Sequence, residues 1–180
     1  MQGPPGSGNT TTSQSILEAN SLYNSSVLAC APSNVASDSL AVLCIDKELP
    51  VTRFGRSVSS RYVDQLLPYA PEQRKEKEMA RQGTPAPGGD AWKKHLRVAL
   101  AGSVAVEPRV LVGTCSSAGT EGVMIELQSH FLLIDEAAQA SEPECLIPIN
   151  QLTPEGRFLL CGDQRQLPPT CTNHEYQELW

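Results

Sequence analysis

Glycine and hydroxyl residues near the start of this sequence have a spacing that suits the binding of a triphosphate. Residues 3–12 read GPPGSGNTTT and match the phosphate-loop pattern G-x-x-x-x-G-K-[ST], except that Asn9 stands where the pattern has lysine. A glycine-rich turn before a helix exposes backbone N–H groups and the positive end of the helix dipole. The stretch is therefore either a phosphate loop without its cation or an ordinary Gly/Pro turn.

Two adjacent carboxylates, Asp135 and Glu136, follow the apolar run HFLLI. At the end of a buried strand, one acid of such a pair can hold Mg²⁺ while the next activates an attacking water. Mg²⁺ keeps water and phosphate ligands, so one carboxylate together with the Thr10 hydroxyl suffices for it. An acidic turn before a helix would use the same residues to complement the helix dipole, so the pair alone leaves both interpretations open.

A third polar segment, GDQRQLPPT, follows the apolar residues of the run at 157–163. Gln166 has the chemistry to sense the terminal phosphate of a nucleotide, and Arg165 would add a cation beside it. The two prolines restrict the path of the loop, because a proline ring fixes its backbone angle. In isolation the segment also fits an ordinary strand end and turn.

Four apolar runs are predicted as buried strands. Polar residues do not alternate with apolar ones in these runs, which is typical of strands covered on both faces in a parallel sheet. The runs are VLACA (27–31), RVLVGTC (109–115), HFLLID (130–135) and RFLLCGD (157–163). Helical patterns over 9–22 and 33–47 flank the first run, so the predicted fold is α/β with right-handed crossovers. The carboxyl ends of such strands meet at one edge, where open α/β sheets bind ligands.

Residues 50–108 do not continue this alternation of strands and helices. They are predicted as a mostly helical insertion in a single domain that covers 1–180. The predicted pieces are a possible short strand in PVTRFG, a short helix in SRYVDQLLPY ended by Pro68 and Pro71, a charged run at 74–81, a loop at 83–90 and a helix over 91–106. Residues 53–109 hold 11 of the 14 Lys and Arg and 6 of the 20 Asp and Glu, a net charge of +5, whereas the remainder has 3 minus 14, or −11. A basic region fits a nucleic-acid partner, and a solvated helix surface explains it equally.

The composition predicts a soluble protein of the cytoplasm or nucleus. The first residues lack the basic and apolar regions of a secretory signal, and the longest aliphatic runs fall far short of the ~20 residues that cross a bilayer. Six cysteines occur without a C-x-x-C pair, so buried reduced thiols are expected rather than a zinc site.

Five segments together resemble the superfamily 1 helicases. They are GPPGSGNT, LACAPSNVASDSL, VGTCSSAG, LLIDEAAQASEPE and CGDQRQLPPT, in the order and spacing of that superfamily over about residues 3–170. The group is the one with the up-frameshift helicases of nonsense-mediated decay and senataxin. The resemblance implies a P-loop NTPase fold, namely the first of two RecA-like domains of an ATP-driven helicase that moves along RNA or DNA.

The resemblance also implies a role for each matching residue. Thr10 and Asp135 would hold Mg²⁺, Glu136 would activate water and Gln166 would contact the γ-phosphate. The ATP-binding residues would be Gly3, Pro4, Pro5, Gly6, Ser7, Gly8, Asn9, Thr10 and Thr11, with Arg165 nearby. The residues on the backbone of single-stranded nucleic acid would be Pro32, Ser33, Asn34, Thr114 and Ser116. Short polar side chains and helix N-termini suit that contact, although a simple helix cap also explains SNVASD.

Asn9 is the main departure from the superfamily pattern. The loop lysine is a compact cation against the β- and γ-phosphates, and an amide carries no charge. We therefore expect weak nucleotide binding and poor hydrolysis. The superfamily also uses an adenine-contacting glutamine upstream and a second RecA-like domain, which are expected outside this chain. The alternative is a non-catalytic module that binds nucleic acid or a protein; a small-molecule kinase is disfavoured by DEAAQ and QLPPT.

Overall fold

The computed structural model of this chain contains a parallel sheet flanked by helices. The structure describes residues 9–23, 26–55, 59, 61–83, 110–119 and 128–169, with the backbone alone for 9, 10, 72 and 75. The strands are β1 (Val27–Ala31), β2 (Val51–Arg53), β3 (Val110–Thr114), β4 (Ser129–Ile134) and β5 (Leu152–Leu160). The helices are α1 (Asn9–Ser21), α2 (Asn34–Asp46), α3 (Val63–Leu66), α4 (Pro71–Arg81) and α5 (Glu142–Ile149). Single 3₁₀ turns cover Leu67–Tyr69, Ser116–Gly119 and Ala137–Gln139.

The five strands lie in the order β2-β3-β1-β4-β5, and every pairing is parallel. The central strand β1 is buried along its whole length, as its unbroken apolar run predicts. Cys30 is level with Gly113 on one side and with Ile134 on the other, and Ile134 is level with Leu160. The predicted α/β fold with a parallel sheet is confirmed, and its strands end together at one edge.

Helices cover both faces of the sheet. On one face α1 and α2 bury Leu17 and Leu40 against the odd-numbered residues of β1. On the other face Phe54 and the partly buried Ile147 of α5 pack against its even-numbered residues. Gly113 is required there, because a Cβ at this position would lie 2.2 Å from the Phe54 ring. The two cores hold the strands in a fixed register and thereby fix the loops that follow them.

Two predicted boundaries differ from the structure. Strand β5 runs from Leu152 to Leu160 rather than from 157 to 163, and it is largely exposed rather than buried, since Phe158 and Leu160 face solvent. Pro154 and Gly156 are tolerated at its start, where its register with β4 is irregular. Pro71 begins α4 instead of ending the preceding helix, since a proline at the first helical position loses no hydrogen bond. The possible strand predicted in PVTRFG is confirmed as β2, which joins the sheet. The predicted helix over 91–106 lies outside the described residues.

The described residues bear on two predictions from composition. Four of the five cysteines described, at 30, 44, 115 and 161, are buried free thiols, and burial raises the pKa of Cys44 to about 12. Over the part of the chain that the structure describes, no helix is both long and apolar enough to cross a membrane.

A fully buried ion pair joins β2 to α2. Arg53 Nε donates to Asp38 Oδ1 at 2.8 Å, and neither side chain is exposed. The second Asp38 oxygen accepts from the Ser59 backbone N–H at 2.6 Å. The guanidinium also donates to the Phe54 carbonyl and, through Nη2, to Asn34 Oδ1 at 3.2 Å. These bonds orient the first turn of α2 relative to the sheet.

Replacing Asp38 with alanine is expected to lower the free energy of unfolding by about 3–5 kcal/mol, because it leaves the Arg53 charge buried without its partner. Urea unfolding of the whole chain measures this loss. Asp46→Ala is the matched control on the same helix; Asp46 is exposed, so its change should stay within about 0.5 kcal/mol. Equal effects of the two substitutions would show that the ion pair does not contribute to the free energy of unfolding.

Candidate nucleotide and nucleic-acid site

Backbone hydrogen bonds continue beyond the strand ends and hold three loops together at the carboxyl edge. The Asp135 N–H donates to the Cys30 carbonyl at 2.8 Å, and the Cys161 N–H donates to the Ile134 carbonyl at 2.8 Å. The Ala137 N–H in turn donates to the Cys161 carbonyl at 2.8 Å. The acidic turn after β4 is therefore fixed from both neighbouring strands.

The acidic pair lies in a tight turn. Glu136 adopts a left-handed backbone conformation with φ of 52°, which is uncommon for a residue other than glycine and is often found at functional sites. Its carboxylate accepts a hydrogen bond from Gln139 Nε2 at 3.1 Å. A Cβ on Gly162 would lie 2.9 Å from the Ala138 nitrogen, so the loop after β5 packs directly on this turn.

Asp135 is half-buried, and burial raises the pKa of its carboxyl group above the ordinary value of 3.8. The neighbouring Glu136 charge adds to this rise, and the Glu136 backbone N–H opposes it. An acid whose charged form is disfavoured by burial and by a neighbouring carboxylate is common where a cation or substrate supplies the missing charge. Asp135 is therefore a candidate metal ligand.

The first half of α1 lies near the acidic pair. Burial raises the pKa of the Cys161 thiol, the Ser13 hydroxyl of α1 opposes that rise, and the Asp135 carboxylate adds to it. Both side chains are thus within electrostatic reach of one sulfur atom. Asn9 and Thr10 form the start of the same helix, and Thr11 is exposed. Gly3, Pro4, Pro5, Gly6, Ser7 and Gly8 lie outside the described residues.

Asp163 organises the loop that carries Arg165 and Gln166. This aspartate is buried; its side chain accepts the Arg165 backbone N–H at 3.0 Å, and its carbonyl accepts the Gln166 N–H at 3.0 Å. The Arg165 side chain is exposed and that of Gln166 is half-buried. The sequence prediction did not include Asp163 among the site residues. An aspartate is nevertheless a recognised turn signal, because its side chain can accept the backbone N–H two residues later.

Ser33 and Asn34 occupy the first turn of α2 and can both act as donors to an anion. The Ser33 oxygen accepts the Ala36 N–H at 3.1 Å as a helix cap, which leaves its O–H able to donate. Asn34 Oδ1 accepts from Arg53, so the NH₂ end of the amide is the end that can reach a ligand. Helix cap and anion contact are thus compatible at this position.

Thr114 and Ser116 differ in their surroundings. Thr114 is buried and shapes the turn after β3, because its hydroxyl lies 2.6 Å from the Ser117 hydroxyl and accepts the Ser117 N–H at 3.1 Å. Ser116 is exposed and donates to Glu144 Oε1 on α5 at 3.1 Å. Ser116 therefore has the more accessible hydroxyl of the two.

A cleft of about 300 Å³ lies between the loops after β1, β4 and β5. Its lining residues are Pro32, Ser33, Gln139, Ser141, Glu144, Leu167, Pro168 and Pro169. The cleft brings Pro32 and Ser33 beside the QLPPT loop, while Thr114 and Ser116 are not among its lining residues. Gln139 and Glu144 were missed by the sequence analysis, although both belong to the DEAAQASEPE segment.

Comparison with known proteins identifies the family of this chain. The family model described as an AAA domain matches residues 1–100 and 93–174. The RNA helicase Mov10l1 of Mus musculus is 32% identical over 183 residues, which cover 93% of this chain and 13% of that protein. The ATP-dependent helicase NAM7 of Saccharomyces cerevisiae is 31% identical over 94% of this chain and 18% of its own length.

The ATP-dependent helicase upf1 of Schizosaccharomyces pombe is 32% identical over 96% of this chain. This chain spans between 13% and 20% of the lengths of these three relatives. The family model covers far more than half of the sequence, and it includes both the phosphate-loop segment and the QLPPT segment. The chain therefore belongs to the AAA domain family, as the first RecA-like domain of a superfamily 1 helicase of the up-frameshift type.

Proposed function

We propose that this chain is the nucleotide-binding half of a motor that uses ATP and Mg²⁺ to move along single-stranded RNA or DNA. The observation that carries the proposal is the meeting of the loops after β1, β4 and β5 at one edge, where backbone hydrogen bonds join Asp135 to Cys30 and Cys161 to Ile134. Ligands of open α/β sheets bind at this edge. The relatives named as ATP-dependent helicases support the same assignment.

The acidic turn fits a magnesium ion. Burial and the Glu136 charge raise the pKa of Asp135, so a divalent cation would remove an electrostatic cost that the fold otherwise carries. Asp135 and the Thr10 hydroxyl would hold the ion, which supplies positive charge to the β- and γ-phosphates when bound. Carboxylate and hydroxyl oxygens, together with phosphate and water, are the donors that Mg²⁺ prefers.

The remaining residues have distinct tasks around the triphosphate. The phosphate loop would extend from Gly3 to Thr10, followed by Thr11, and its residues other than Pro4 and Pro5 would donate backbone N–H groups to the phosphates. Glu136 accepts a proton from the attacking water, and its fixed turn supports that task because a base must be positioned within hydrogen-bond reach. Gln166 contacts the γ-phosphate, and Arg165 adds positive charge.

Single-stranded nucleic acid binds at the neighbouring loops. Ser33 and Asn34 offer donors at the positive end of α2, and Pro32 and Ser116 lie on adjacent loops. Such groups hydrogen-bond phosphate without reading a base sequence. Buried Thr114 contributes by shaping its turn. Movement along the nucleic acid requires a second RecA-like domain, since it depends on opening and closing of the cleft between two domains.

A non-catalytic nucleic-acid module is the second candidate, and Asn9 favours it. Removing a single electrostatic donor from an active site costs about 10²–10³ in rate. A module of this kind would bind single-stranded RNA, with affinity that falls as salt rises, and would show no turnover.

Asn9→Lys is expected to raise the affinity for ATP and to raise ATP hydrolysis in the presence of single-stranded RNA by about 10²-fold, because it restores the cation beside the phosphates. Nucleotide titration and phosphate release measure both effects. Asn20→Lys, farther along α1, is a control for added charge alone. If neither quantity rises in Asn9→Lys, the account of Asn9 is wrong.

Asn34→Asp is expected to weaken binding of a single-stranded oligonucleotide about tenfold or more, since it replaces a donor by an anion while keeping an oxygen acceptor for Arg53. Fluorescence anisotropy at fixed salt gives the affinities. Gln65→Glu adds the same charge at an exposed position on α3 and should leave the affinity within about twofold. Equal losses in the two variants would indicate a general charge effect and would remove Asn34 from the contact.

Asp135→Asn is expected to raise the melting temperature at pH 7. The raised pKa of Asp135 means that ionisation of this group destabilises the folded chain. Its contribution to the free energy of unfolding is therefore most favourable below the ordinary pKa of 3.8 and falls as pH rises above that value. The gain should therefore vanish near pH 3, where the carboxyl group is protonated in both states. Thermal unfolding from pH 3 to 7 tests this, with the exposed Asp46→Asn as control. A gain that is independent of pH would contradict the electrostatic explanation.

A further inference from the structure

We propose, on the basis of the function above, that Gln139 is a positioning residue that connects the nucleic-acid cleft to Glu136. One end of this side chain donates to the Glu136 carboxylate at 3.1 Å, and the same residue lines the cleft together with Pro32 and Ser33. A single amide thus lies between the group that activates water and the surface that receives the strand.

The turn that joins Glu136 to Gln139 is short and hydrogen-bonded, so the two side chains stay close to each other. The Gln139 N–H donates to the Glu136 carbonyl at 2.9 Å, and the two residues belong to a single 3₁₀ turn. The left-handed backbone of Glu136 is uncommon, and the next residue is held by the bond from the Ala137 N–H to the Cys161 carbonyl. With the backbone fixed, the side-chain bond from Gln139 determines where the Glu136 carboxylate points.

The chemistry of the amide permits contact on both sides. A glutamine side chain has two N–H donors and one carbonyl acceptor, so it can hold a carboxylate through one N–H and still bond to a phosphate, ribose or base through its other atoms. Single-stranded nucleic acid in the cleft would hold the Gln139 amide in one orientation, and the amide would hold the Glu136 carboxylate. In the empty cleft the same side chain has more rotational freedom, and a base that is less well positioned is a slower one.

The first test observes the Gln139 side-chain amide directly. In the nitrogen–proton spectrum of the chain, the pair of signals that is lost in Gln139→Met identifies this amide. Addition of a single-stranded oligouridine should shift that pair, while the exposed Gln65 amide stays in place. If the backbone signals of Ser33 and Asn34 shift and the Gln139 amide does not, the strand binds as proposed but does not reach Gln139, and the connection is refuted. If no signal shifts, the proposed nucleic-acid function fails, and the connection fails with it.

The second test separates positioning from a purely structural role. In the Asn9→Lys background, Gln139→Met keeps the side-chain length and removes the hydrogen bonds; the ratio of RNA-stimulated to basal ATP hydrolysis should fall about tenfold, the lower end of the effect of removing a supporting hydrogen bond. Gln139→Glu, which places a like charge beside Glu136, should lower the ratio at least as far. A structural defect would lower both rates alike and leave the ratio unchanged, and that result would overturn the proposal.

Discussion

The parallel pairing of β1 with both β3 and β4 is the constraint on which every part of the site depends. Because Cys30 is level with Gly113 and Ile134, the loops that follow these strands emerge at the same height. The backbone bond from Asp135 to Cys30 extends that register by one residue into the acidic turn. Residues that are about a hundred positions apart in sequence are thereby neighbours, with no need for a direct side-chain bond between them.

Charge around this edge is unevenly balanced. The buried pair of Arg53 and Asp38 is internally neutral and holds Asn34, whereas burial and Glu136 both disfavour the charge on Asp135. Asn9 offers no positive charge at the start of α1. We expect such a chain to depend on an added cation more strongly than one with the loop lysine, because a lysine would offset part of the same acidic charge.

The sequence predicted the centre of the fold better than its margins. Strands β1 and β3 are buried along their whole length and β4 is buried over 132–134, as their apolar runs predict, while Pro154 and Gly156 concealed the start of β5. Glycine, acidic and polar residues at strand ends indicated which loops form the site. Asp163 and Gln139 escaped notice because their importance lies in hydrogen bonds within folded turns, which composition and spacing do not reveal.

The central claim is that the start of α1, the acidic pair and the Gln166 loop surround one metal–triphosphate complex. The most direct measurement uses Mn²⁺ with a non-hydrolysable ATP analogue and records the paramagnetic broadening of backbone amide signals. The account predicts the strongest broadening at Thr10, Asp135 and Gln166 together, with little effect at Val51 and Leu152, which lie at the amino-terminal ends of β2 and β5. Broadening of the acidic pair without Thr10, or at the amino-terminal edge of the sheet, would contradict it.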